Sequence, residues 1–205
     1  MPRKTLKVAL CAVACTCVIG VSSLGSYAYF TDSSSKLNTF TVSHLDISLT
    51  EPNYTALSDS NSDGIKDVAT NMVQGKTTKA DPTIVNNSTI GAYAIMVVDV
   101  PIRNVMTVSS APSKETIELF SYVVNSGWTL RSTKNLDDYV RRVYTYNSVV
   151  DVGKKTTPLF STVTYADVVE GQISDTLSIP IKGYAIQAKA FNSVDDAYAN
   201  FDWNQ

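Results

Sequence analysis

From Thr39 onward, the dominant period of the apolar residues is two rather than 3.6, which makes this a β-rich domain. The segments LDISLT (45–50), AYAIMVVDVPI (92–102), DYVRRVYTYNSVV (138–150), PLFSTVTYADVV (158–169) and TLSIPIKGYAIQAKA (176–190) are rich in Val, Ile, Thr and Tyr. Each is bounded by turn-forming residues, as in DSNSDG, VNNSTIG, NSGW, DVGKK and EGQ. Phe40, Val42, Leu45, Ile47 and Leu49 alternate with one change of phase near Ser43 and His44, which predicts a bulge there or two short strands that meet. Two short helices are expected. Ser113 would cap KETIELFSYVV, where Ile117, Phe120 and Val124 fall at helical spacing, and Ser193 would cap VDDAYANF, with Asp195 and Asp196 in its first turn. The fold class that follows is all-β: a jelly-roll-like antiparallel β-sandwich with short inserted helices. With 205 residues, 44% of them hydrophobic, the chain suffices for one cored domain.

The first residues read as an export signal rather than as part of that domain. Arg3, Lys4 and Lys7 precede VALCAVACTCVIGVSSL (8–24), which carries no charge, and small residues follow at Ser26 and Ala28. This order predicts a signal peptide over 1–28, cleaved between Ala28 and Tyr29, with the domain over 29–205. The rival reading, an uncleaved anchor, is disfavoured by Thr16, Gly20, Ser22 and Ser23, which dilute a run shorter than the roughly 20 residues a spanning helix needs. AVAC (12–15) is a poor lipoprotein signal. All three cysteines, Cys11, Cys15 and Cys17, leave with the leader, so disulfides and thiolate chemistry are excluded from the mature form. Three of the 17 basic residues and none of the 19 acidic ones lie in the leader, which makes the mature balance −5. No Lys/Arg cluster remains to follow a phosphate backbone, so nucleic acid is not an expected partner.

Catalytic constellations are scarce. The only imidazole is His44, inside the apolar strand pattern, and it has neither a Cys nucleophile nor a second His to join it. Triads and HExxH-type zinc hydrolysis are therefore not expected, and His44 reads as an ordinary strand residue. The pairs Asp137–Asp138 and Asp195–Asp196 look like a turn and a helix start rather than acid/base partners. No catalytic residue is nominated. The sharpest local motif is DSNSDGIKD (59–67). Side-chain oxygens at Asp59, Asn61, Asp63 and Asp67, the carbonyl of Ile65 and a turn at Gly64 match the spacing of a calcium loop. The closing twelfth position is Thr70 instead of a carboxylate, and the alternative is a plain polar turn. Tyr139, Tyr144 and Tyr146 alternate with Arg141 and Arg142, which would give an exposed aromatic and basic face or, more commonly, a strand with one face in the core.

The stretch GSYAYFTDSSSKLNTFTVSHLDISLTEP (25–52) resembles the TasA and camelysin family of Gram-positive bacteria, whose members share A-Y-F-T-D and N-T-F-T-x-x-x-L-D-I-x-L-T-E. KADPTIVNNSTIGAYAIMVVDVP (79–101) is similar to that family's K-x-D-P-x-V-x-N-x-G-x-x-x-A-Y strand pair. Gly127–Trp128, TTPLFSTVT (156–164) and IKGYAIQAKAFNSVDDAYANF (181–201) continue the likeness in the same order. The resemblance implies a secreted jelly-roll protein, released by a dedicated signal peptidase and assembled into biofilm matrix fibres with copies of itself or with a related fibre subunit. It further implies that residues 29–38 add as a donor strand to a neighbouring subunit, and Tyr29, Phe30 and Leu37 are the apolar anchors available there. Camelysin itself is described as a surface metalloprotease, but with a lone His44 and no HExxH no residue here can be nominated for that activity. A monomeric surface module that binds through its loops is the third possibility. No LPxTG-like signal or apolar tail follows Phe201, so retention outside the cell would rest on assembly or on another protein.

Overall fold

The computed structural model describes residues 44–63, 66–69, 75–171, 177–201 and 203. The leader over 1–28, the Ala28–Tyr29 cleavage point, the 29–38 segment and Ser43 lie outside these residues.

Eleven strands are defined among the described residues, and every pairing between them is antiparallel. The longest is β4 (Ala92–Thr107), and the fold is built around it. Its first half pairs with β8 (Tyr139–Tyr146) and β11 (Ile181–Gln187), and β8 pairs onward with β7 (Trp128–Asn135). Its second half pairs with β5 (Glu115–Glu118) and β10 (Val168–Glu170). The change of partners falls around Pro101, which has no N–H to give to a ladder. A ribbon of β1 (Ile47–Thr50) with β3 (Thr83–Asn86), and a three-stranded sheet of β2 (Thr77–Lys79), β9 (Thr162–Tyr165) and β6 (Phe120–Tyr122), complete an all-β sandwich.

β4 explains its own composition. Ala94, Met96, Val98 and Val100 enter the principal core, where they share a cluster with Ile84, Leu119, Phe120, Trp128, Tyr144, Leu159, Phe160 and Val163. Ile95 and Val97, one residue out of phase, join Val143 in a second cluster covered by Tyr184, Ile186, Tyr198 and Phe201. A strand buried on both faces has no polar face, hence the near-continuous apolar run. Its one charge in that run, Asp99, is matched by Arg141, which donates from Nε and Nη2 at 2.7 Å each, and this pairing raises the guanidinium pKa.

Two expectations are corrected. The helix predicted over 114–124 is absent; Glu115–Glu118 and Phe120–Tyr122 are strands instead. Thr116, Ile117, Phe120, Tyr122, Val123 and Val124 are β-branched or aromatic, and pairing with β4 and β9 outweighs the coincidental helical spacing. His44 precedes β1 rather than lying within a strand; it is exposed, and its carbonyl accepts the Thr89 N–H at 3.3 Å. The second helix forms as expected over Val194–Ala199. Ser193 is its N-cap, with its hydroxyl accepting the Asp196 N–H at 3.1 Å, and Asp195 and Asp196 lie in the first turn.

Candidate functional site

Alternation places Ile47 and Leu49 on one face of β1, and Ile47 packs against the principal core. Leu49 points the same way yet remains 37% exposed. The surface beside it is an open groove of about 790 Å³ lined by Leu49, Thr50, Glu51, Pro52, Thr55, Ala56, Ile179 and Ile181. Ile179 and Ile181 are themselves partly buried against the principal core. The groove is therefore a place where the core reaches the surface.

Backbone pairing stops at the same place. Among the described residues, β1 has β3 on one side and no strand on the other, and β11 has β4 alone. Two strands that each have one free side among the described residues thus contribute side chains to one apolar groove, and an unpaired edge is a ready template for a further strand.

The polar end of the groove is built by Glu51 and Asp81. Pro52 begins a short helix, Pro52–Thr55, whose own N-cap residue, Glu51, makes no side-chain capping bond. Asp81, only 3% exposed, takes that role from across the fold: its carboxylate accepts the Asn53 N–H at 2.9 and 3.1 Å and the Tyr54 N–H at 3.2 Å. Glu51 is left half-buried beside a second carboxylate. Burial first, and the charge of Asp81 second, raise its pKa above 4.5. No cation pairs with Glu51 among the described residues. Burial, with the charge of Glu51 adding to it, also raises the Tyr54 hydroxyl.

The DPTIVN part of the 79–101 motif is accounted for nearby. Asp81 is the capping carboxylate, and Asn86, 1% exposed, donates to the carbonyls of Ile90 and Val150 at 2.9 and 2.7 Å while its Oδ1 accepts the Ser88 N–H at 2.9 Å. These residues fasten β3 to the turn before β4 and to the 150–154 loop.

The other candidate residues fall elsewhere. Tyr29, Phe30 and Leu37, the expected donor-strand anchors, and Ala28 lie outside the described residues, as does Ile65 of the expected calcium loop. In that loop the Asp67 carboxylate accepts the Ser60 N–H at 3.0 Å and the Ser60 hydroxyl at 2.6 Å, and these bonds lower its pKa. Asn61 donates to Asp63 at 2.8 Å and accepts the Asp63 N–H at 3.3 Å, a self-closed turn around Ser62 with φ of 58°. Among the described residues, Asp59, Asp63 and Asp67 do not gather into a metal-binding group.

Of the Tyr and Arg residues of β8, Tyr144 is buried and Tyr139, Arg141, Arg142 and Tyr146 are partly buried. Tyr144 is 2% exposed and shares a 3.0 Å hydrogen bond with the Tyr122 hydroxyl, and Arg142 forms a bidentate pair with Glu118 at 2.5 and 2.6 Å. Burial, followed by the bond to Tyr144, pushes the Tyr122 hydroxyl far up. These bonds tie β8 to β5 and β6. No helix among the described residues is long and apolar enough to cross a membrane.

Comparison with protein-family models, with curated proteins and with solved structures returned no match to the chain.

Sequence reasoning missed the groove. Its residues were visible as the alternations Leu45, Ile47, Leu49 and Leu177, Ile179, Ile181, but nothing in either stretch says that they meet.

Proposed function

We propose that this chain is a secreted, non-catalytic structural subunit whose copies form extracellular fibres, the 29–38 segment of one copy adding as a strand in the groove of the next. The observation that carries this reading is the apolar groove beside β1 and β11, each of which has a strand partner on one side only among the described residues. The likeness of 25–52 and 79–101 to the TasA and camelysin pattern supports it, as does the export-type leader.

The energetics set a condition. Tyr29, Phe30 and Leu37 each contribute about 1.5 to 3 kcal/mol if fully buried. Their gross sum, about 4.5 to 9 kcal/mol, only meets an association cost of about 4 to 15 kcal/mol. Main-chain hydrogen bonds along the open edges must supply the surplus, so assembly depends on concentration and on an intact N-terminal segment.

The test is to purify residues 29–205 with an authentic Tyr29 start and a second form starting at Asn38, and to image both by electron microscopy across concentration, with and without calcium. The first form is expected to give fibres and the second single particles. Equal polymerisation of the two would refute the donor-strand mechanism.

A further inference from the structure

The groove holds one feature that an apolar strand does not satisfy. Glu51 lines its wall half-buried, with Asp81 as its charged neighbour and Tyr54 as the other titratable group against it. Asp81 is already committed to the backbone N–H groups of Asn53 and Tyr54. Closing the groove with any segment removes water from Glu51 and worsens its position unless the segment brings a cation. An occupant with no positive charge is therefore selected against.

Residues 29–43 lie outside the described structure and end where the described chain begins, immediately before β1. They contain a single cation, Lys36, and a single anion, Asp32. Lys36 directly precedes Leu37, one of three apolar anchors in 29–38. With Leu37 seated beside Leu49, Ile179 and Ile181, alternation turns Lys36 to the opposite face of the strand, toward the groove's mouth. Its four-carbon stem can lie along apolar surface while the ammonium reaches outward.

We infer that Lys36 of one copy pairs with Glu51 of the next, and that this pair fixes the register of the inserted strand. The inference rests on the donor-strand reading and adds to it the determinant of recognition. Main-chain hydrogen bonds are nearly indifferent to a slip of two residues, because such a slip restores the same face. A charge pair is not. A slip of two residues would set Ser34 or Asn38 in place of Lys36 and leave Glu51 without its cation.

The experiment uses two variants of the mature chain, Glu51→Lys and Lys36→Glu, polymerised alone, mixed in equal amounts and combined in one chain. Alone, each sets like charges against one another at every junction, and the critical concentration is expected to rise at least about tenfold. In the mixture, the donor segment of the Lys36→Glu variant meets the groove of the Glu51→Lys variant with opposite charges. At the next junction the native Lys36 of the second variant meets the native Glu51 of the first, so alternating fibres should form near the parental concentration. The double variant should also polymerise. Recovery should weaken in high salt, as a partly exposed ion pair requires.

Single variants that polymerise as well as the parent would overturn the pair while leaving the donor-strand reading intact. Recovery in the double variant without recovery in the mixture would place the pair within one chain and overturn it equally. A parental protein that forms no fibres at all would remove the donor-strand reading, and this inference with it.

Discussion

Glu51 directly follows the last residue of β1 and directly precedes Pro52, and it lines the groove wall. Burial and the Asp81 carboxylate both favour its neutral form, and its folded pKa lies above the unfolded value of 4.5. For a carboxyl group raised in this way, the stabilising contribution is full below pH 4.5 and is lost as pH rises through the folded value. At neutral pH the isolated subunit therefore carries a cost that Glu51→Gln removes. The variant should melt at a higher temperature than the parent at pH 7.5, and the difference should shrink toward zero as pH falls below 4.5. Thermal melts at pH 7.5 and pH 4, read at a concentration where both proteins are single particles, check this. An equal shift at both values would mean that the charge is not the cause. The same substitution should weaken polymerisation, since it removes the partner proposed for Lys36. A residue that costs the monomer stability and contributes to assembly is what a recognition site produces.

The β1–β3 ribbon and β11 are held together at Gly183. A Cβ there would come within 3.3 Å of both Ile84 Cδ1 and Cγ1 and within 3.7 Å of Ile47 Cδ1, so the ribbon lies directly on the glycine. Gly183→Ala requires Ile84 to give way by a few tenths of an ångström, and because Ile84 is itself only 1% exposed the substitution is expected to destabilise the fold. Ile84→Val deletes the Cδ1 atom at one of those contacts and should recover part of the loss when the two are combined. Urea unfolding of the parent, the two single variants and the double variant gives the coupling directly, and additive effects would show that Ile84 does not carry the clash. Strands of this kind were legible where one periodicity dominated: LDISLT, AYAIMVVDVPI and DYVRRVYTY each overlap the strand found. The helix expected at 114–124 was misread because Ile117, Phe120 and Val124 satisfy helical spacing by coincidence. Glu118, in the middle of that stretch, is held instead by Arg142 of β8. The strand β7 gave no signal, because WTLRSTKN is mostly polar and depends on its backbone ladder to β8. The groove was illegible for a different reason. It is made where Leu49 meets Ile179 and Ile181, and such proximity is decided by the pairing of β11 with β4 and of β1 with β3.

If each subunit lacks one strand that its neighbour supplies, a free copy of that strand competes for the acceptor and ends the chain. A synthetic peptide of residues 29–38 added to polymerising mature protein should therefore shorten the fibres and raise the soluble fraction in proportion to its concentration. Its anchors alone hardly offset the cost of association, as the sums for Tyr29, Phe30 and Leu37 indicate, so millimolar peptide is expected to be needed and main-chain pairing to decide the outcome. That dependence gives the control. The same peptide with Ser33→Pro and Ser35→Pro keeps all three anchors and Lys36 but lacks two N–H donors on one edge of the strand. It should lose most of its capping effect. Bound peptide should also raise the melting temperature of subunits held below the polymerisation threshold, because a ligand that binds only the folded form stabilises it by mass action. Sedimentation velocity with electron microscopy reads fibre length, and calorimetric melts read the stabilisation. If the proline peptide capped as well as the parent, the groove would be binding side chains rather than a strand, and the open edges of β1 and β11 would have no part in assembly.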